Sequence, residues 1–126
     1  MPRTLLPGQQ GTKSERTAER RLRKAGLKTL ERNYRCRQGE VDLIMRAPDD
    51  TLVFVEVRYR AGQSRGGALA SVDHHKQLRL INAARHYLAN HQAAAGAACR
   101  FDVVAVAPGD GREPHIEWVH NAFLAE

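Results

Sequence analysis

Runs of Val, Ile, Leu and Phe in the first half of the chain are short, interrupted by charge, and separated by turn residues, which predicts strands. Leu27 to Arg35 reads as an irregular first strand, Glu40 to Arg46 as a second and Thr51 to Arg60 as a third, the last rich in Val and Phe. Pro48-Asp49-Asp50 marks the turn between the second and third. Phe101 to Val106 is a near-continuous apolar run broken by Asp102, the pattern of a central strand covered on both faces. After Pro108-Gly109-Asp110-Gly111, His115 to His120 predicts a shorter closing strand containing Trp118.

Two segments carry helical spacing instead. Thr12-Lys13-Ser14-Glu15 has the form of a capping box, so a helix is expected to start there. Ala18, Leu22 and Ala25 then fall on one stripe with Glu15, and Gly26 is the expected stop. A long helix is predicted from Ser71 or Asp73 to His91, with Gln77, Ile81, Ala84 and Leu88 repeating and Leu78, Leu80 and Tyr87 broadening the apolar face. Met1 to Gly11 reads as a flexible arm, Ala61 to Ala70 as a flexible glycine-bearing loop and Ala93 to Ala98 as a small-residue hinge. The order is α-β-β-β-α-β-β in a single domain over 12–126, with no internal repeat.

Composition limits what such a domain does. At 126 residues with 42% hydrophobic and 27% charged positions, the chain suits one soluble core. Cys36 and Cys99 are too far apart in sequence for a zinc knuckle and too few for a disulfide framework, which points to a reducing compartment. No apolar run approaches a membrane span and no secretory signal is evident, so the cytoplasm is the expected location. The net charge of +6 lies entirely in residues 1–60, with ten basic and three acidic residues between Lys13 and Arg37. Such a density fits a surface that neutralises a phosphate backbone, through Lys13, Arg16, Arg20, Arg35 and Arg60; a solvated basic helix is the plainer alternative.

The candidate chemistry sits on the second and third strands. Strand alternation puts Glu56 and Arg58 on one face, and a hairpin register that sets Asp42 near Glu56 and Ile44 near Phe54 would let two carboxylates and a cation converge where a divalent ion could bind. A one-residue slip would separate them. Asp is depleted in strands, and an unpaired carboxylate in the most apolar strand is costly, so Asp42 and Glu56 are read as ligands, with an ion pair from Glu56 to Arg58 or Arg60 as the alternative. Glu15 is explained equally by its place in the capping box. Gln77 could reach a site residue or a phosphate, or be a solvated helix-end amide. Asp102 reads as the partner of a buried donor, and Tyr59 should face away from Arg58. The histidines lack metal-binding spacing, and the loop with Gly66-Gly67 lacks a phosphate-cradle motif and is better read as a flap.

Gly11 and Glu15 with Ala18, Arg32-Asn33-Tyr34-Arg35, Gly39-Glu40-Val41-Asp42-Leu43-Ile44, Phe54-Val55-Glu56-Val57-Arg58, Phe101-Asp102-Val103-Val104 and Asn121-Ala122-Phe123 together resemble the YraN family of the PD-(D/E)xK nuclease-like superfamily, a bacterial group similar to Holliday junction resolvases. The resemblance covers nearly the whole chain beyond the first ten residues. It implies an α/β, restriction-endonuclease-like fold with helices packed on a mixed central sheet. It also implies Mg²⁺ or Mn²⁺ on Asp42 and Glu56, Glu15 as a helix-borne acid near the same ion, and DNA, in repair or recombination, as the partner. Junction-resolving relatives work as dimers, which implies a homodimer. Arg58 stands where the superfamily usually has lysine. Arginine stays protonated and cannot serve as a general base, although it can clamp a phosphate. Three expectations follow: a metal-dependent endonuclease, a silent nucleic-acid-binding module, or an adaptor whose basic helix docks a protein partner.

Overall fold

The computed structural model describes residues 9–60, 72–94, 96–109, 111 and 113–125. Helix α1 (Gln9–Lys24) leads into strands β1 (Lys28–Cys36), β2 (Gly39–Arg46) and β3 (Leu52–Tyr59). Helix α2 (His74–Ala89) and a 3₁₀ turn (Gln92–Ala94) connect to β4 (Cys99–Ala107) and β5 (His115–Phe123). The five strands form one open mixed sheet in the order β1-β2-β3-β4-β5, parallel between β3 and β4 and antiparallel elsewhere. The described residues hold two helices and five strands, and depart from the expected order by the 3₁₀ turn in part of the expected hinge, by α1, which takes in Gln9–Gly11 of the expected arm, and by β5, which runs on to Phe123 and is as long as β4; the 61–70 loop and residues 1–8 of the arm lie outside the described residues.

Parallel pairing of β3 with β4 needs a crossover, and α2 lies within it. Helices pack on both faces of the sheet. α2 covers one with Leu80, Ile81, Ala83, Ala84 and Tyr87 against Ile44, Leu52, Phe54, Phe101 and Val103. α1 covers the other with Ala18 and Leu22 against Leu43, Met45, Val53, Val55 and Val104. The central strands are therefore buried on both sides, which accounts for their near-continuous apolar runs. Leu78, expected on the apolar face of α2, is instead exposed, because the buried stripe runs through Leu80, Ile81, Ala84 and Tyr87.

Two helix ends follow the local chemistry read from the sequence, and the start of α1 does not. The amide of Leu27 donates to Leu22 O at 3.1 Å and that of Gly26 to Arg23 O at 2.9 Å, a Schellman closure with Gly26 at φ +101° and Leu22 packed in the same cluster as Leu27. Ala25 falls past the helix end and is exposed, so it leaves the stripe on which Ala18 and Leu22 lie. Asp73 caps α2, its Oδ1 accepting from Lys76 N at 2.9 Å. The capping box at Thr12 is not an N-terminus. The helix is already formed from Gln9, so Thr12 and Glu15 lie within it and Glu15 is released from a capping role.

Candidate functional site

β2 and β3 pair from Arg46↔Leu52 to Leu43↔Val55, with Ile44 opposite Phe54 as expected. Beyond Leu43 the ladder stops. The amide of Val57 donates to Asp42 Oδ2 at 2.7 Å, so a side chain occupies the place of the next ladder carbonyl. The inside-outside alternation of β2 breaks at the same level: Val41 packs with the α2-side cluster although Leu43 and Met45 pack on the α1 side. Asp42 thus sits in the opening between the two strands, where it can be approached from both faces.

Glu56 approaches from the α2 side. Its carboxyl group lies within hydrogen-bonding reach of Asp42, and Arg58 Nη1 stands 3.5 Å from its Oε2. Burial, then the Asp42 charge and hydrogen bond, push its pKa up to about 8 against the opposing pull of Arg58 and Lys76. Burial likewise raises Asp42, opposed by the Val57 amide and by the hydrogen bond with Glu56.

Glu15 approaches Asp42 from the α1 side. Burial, then the charge of Asp42, push its pKa up to about 7, and a hydrogen bond with Asn33 pulls it down. Asn33 adopts a left-handed conformation at φ 51°, tolerable for Asn, within the irregular strand β1. Among the described residues, no three His, Cys, Asp or Glu side chains gather tightly enough to ligate one ion. The site is a carboxylate pair flanked by a third acid.

Among the described residues, three clefts open near this end of the sheet. One, about 440 Å³, is lined by Glu15, Arg16, Glu19, Arg32 and Asn33 among others. A second, about 320 Å³, holds Glu56 with Asp73, His75, Lys76 and Arg79 at the start of α2. A third, about 440 Å³, lies on the α1 side against Lys13, Thr17, Arg20 and Tyr59.

Arg35 Nε lies 3.5 Å from Glu40 Oε2, and Arg60 follows β3 with its amide donating to Val106 O at 2.9 Å. Gln77 donates from Nε2 to Val72 O at 3.1 Å, fastening the start of α2 rather than reaching a carboxylate. Tyr59 lines the α1-side cleft while Glu56 borders the α2-side one, as alternation along β3 requires. Asp102, fully buried, accepts from Arg100 Nε (3.1 Å), Trp118 Nε1 (2.9 Å) and the amide of Asn121 (2.8 Å), the structural role expected of it. Asn33 and Glu40 enter the sequence reading only as members of the motifs that carry the resemblance, without a role of their own, and Lys76 does not enter it; Asn33 has a further signal, as an Asn inside a strand.

A model of the "Uncharacterised protein family UPF0102" matches residues 14–106, which includes Glu15, Asp42, Glu56 and Arg58. The chain belongs to the UPF0102 family. A UPF0102 protein of Alcanivorax borkumensis is 51% identical over 92% of this chain and 92% of its own length. One from Methylococcus capsulatus is 52% identical over 92% and 91%, and one from Aeromonas hydrophila 53% over 90% and 83%. The UPF0102 match therefore takes in α1 from residue 14 on, all of α2, β1 to β3, and β4 up to residue 106. Among the described residues of this UPF0102 chain, no helix is long and apolar enough to cross a membrane.

Proposed function

We propose that this chain is a divalent-metal-dependent, nuclease-like protein that hydrolyses phosphodiester bonds of DNA, branched or single-stranded, on a restriction-endonuclease-like fold. The observation that carries the reading is the meeting of Asp42 and Glu56 where β2 and β3 separate, with Arg58 on the same strand. A buried pair of acids whose pKa values are both raised by burial has the donor set of a hard-cation site. Mg²⁺ takes one or two carboxylates and fills its remaining positions with water and phosphate oxygens, so two ligands suffice. Asp42 and Glu56 would hold the ion, which would supply Lewis acidity toward a phosphodiester and the means to activate water.

The chain's own residues account for the rest. Val57 N–H fixes the Asp42 carboxylate, leaving its other oxygen for a ligand. The buried Nε of Arg58 has no hydrogen-bond partner among the described residues, so the guanidinium keeps donors for a phosphate oxygen. Glu15, with its raised pKa, is placed to exchange a proton beside Asp42.

The test is NMR titration with Mg²⁺ and Mn²⁺ followed at Asp42 and Glu56, alongside cleavage assays on branched and single-stranded DNA. Binding should disappear in both Asp42→Ala and Glu56→Ala, and weak wild-type cleavage should rise in Arg58→Lys. No metal binding, together with inactivity of wild type and Arg58→Lys on every substrate, would refute the hydrolase reading.

A second reading is favoured by one contact. The guanidinium of Arg58, 3.5 Å from Glu56, partly does what a metal would do, which suits a protein that holds nucleic acid without cutting it. Salt-sensitive binding with no cleavage would mark that case.

A further inference from the structure

The α1-side cleft differs in chemistry from the two clefts that contain acids. Lys13, Ser14, Thr17, Arg20 and Tyr59 supply its polar side chains, each able to donate a hydrogen bond, and no carboxylate is among its described lining residues. Ser14 is 2% exposed, and its buried Oγ has no hydrogen-bond partner among the described residues. A buried hydroxyl left unpaired is costly, so its presence on the wall of an open cleft points to a ligand oxygen as the missing partner. Among the described residues Arg20 reaches Thr17 Oγ1, at 3.5 Å.

Position agrees with composition. β3 and β4 run parallel and end at Tyr59 and Ala107, and the cleft lies against both ends, where open α/β sheets receive ligands. Tyr59 follows Arg58 directly, so the two side chains project to opposite faces of one strand end. A chain of phosphates rounding that end would meet Arg58 and the Asp42–Glu56 pair on one side and the cluster of donors on the other.

We propose that this cleft is a second phosphate subsite, in which Ser14, Lys13 and Arg20 hold a backbone phosphate of the polynucleotide whose scissile bond lies at Asp42 and Glu56. The inference rests on the nucleic-acid reading above, but not on metal binding or cleavage. The ligand atom set is that of any phosphate group. A polynucleotide is favoured over a free phosphate because a cleft of about 440 Å³ exceeds a lone anion and adjoins the strand that carries the carboxylate site.

Titration in EDTA separates the possibilities. A short oligothymidylate, thymidine monophosphate and inorganic phosphate are each added while the amides of Ser14 and Thr17 are followed by NMR and oligonucleotide affinity by anisotropy. The oligonucleotide should shift both amides. Lys13→Gln combined with Arg20→Gln should weaken its binding about tenfold and lower the salt slope by about 1.4, as expected for two lost single-strand phosphate contacts. Ser14→Ala should weaken binding with the salt slope kept, and Asp42→Asn should leave the shifts at Ser14 and Thr17 in place. Oligonucleotide affinity unchanged in the double variant would overturn the proposal, as would shifts produced by phosphate or mononucleotide but not by the oligonucleotide. Because these readouts need no metal, loss of the hydrolase reading would leave them intact, and their failure would leave metal binding at Asp42 untouched.

Discussion

Asp42 of β2 accepts the backbone amide of Val57 of β3 at 2.7 Å, so a carboxylate stands in the place of a strand carbonyl where the two strands part. The bond makes Asp42 a structural and a chemical residue at once. Asp42→Asn keeps an oxygen acceptor for Val57 while removing the buried charge, and should fold with stability equal to or above wild type in the absence of metal. Asp42→Ala leaves the amide unpaired and should cost about 1–3 kcal/mol. Urea unfolding in EDTA compares the two, and both variants should lose Mg²⁺ binding.

Stability should fall as pH rises through neutrality. Folding lifts Glu15 to about 7 and Glu56 to about 8 from an ordinary value of 4.5, so the native state retains protons that the unfolded chain has released. Their contribution is complete below pH 4.5 and lost as pH climbs through 7 and 8. Urea midpoints in EDTA should therefore decline between pH 5 and pH 8.5. Glu56→Gln should flatten the decline, and Mg²⁺ should restore most stability at the alkaline end. Glu19 acts oppositely: hydrogen bonds from Arg32 (3.0 Å) and Thr29 (2.5 Å) lower its pKa against the effect of burial, so its contribution is present above 4.5 and is lost on acidification.

Asp102 should matter to the fold and not to the metal. Three donors converge on its buried carboxylate, one from Trp118, the sole tryptophan. Asp102→Ala strands them and should cost about 3–5 kcal/mol, judged from other buried charge networks. Tryptophan fluorescence reports the loss directly, while Mg²⁺ affinity of the folded fraction should match wild type.

Gly39 admits no side chain. A Cβ there would overlap the backbone carbonyl of Arg79 in α2, so β2 and α2 approach closely only because glycine begins the strand. Gly39→Ala should destabilise by about 1–3 kcal/mol through overpacking and push apart the elements that carry Asp42 and Lys76. Denaturant unfolding tests the first effect and a weaker metal titration the second.

The primary sequence alone determined where the five strands lie, though not where the last one ends, the apolar stripes apart from Leu78 and Ala25, the Gly26 stop and the register that sets Ile44 opposite Phe54. Each of these depends on spacing within one segment or on burial of a single face. It also singled out Asp42, Glu56 and Asp102, because a carboxylate inside an apolar strand requires a partner wherever the strand lies. The tertiary structure decided which partner. Asp42 and Asp102 are both acids among Val and Leu, yet one meets a second carboxylate at a parting of strands and the other three donors, a difference set by residues distant in sequence. The true start of α1, the left-handed Asn33 and the unpaired hydroxyl of Ser14 were likewise hidden, since each depends on what packing brings alongside it, and local propensity carries no record of that.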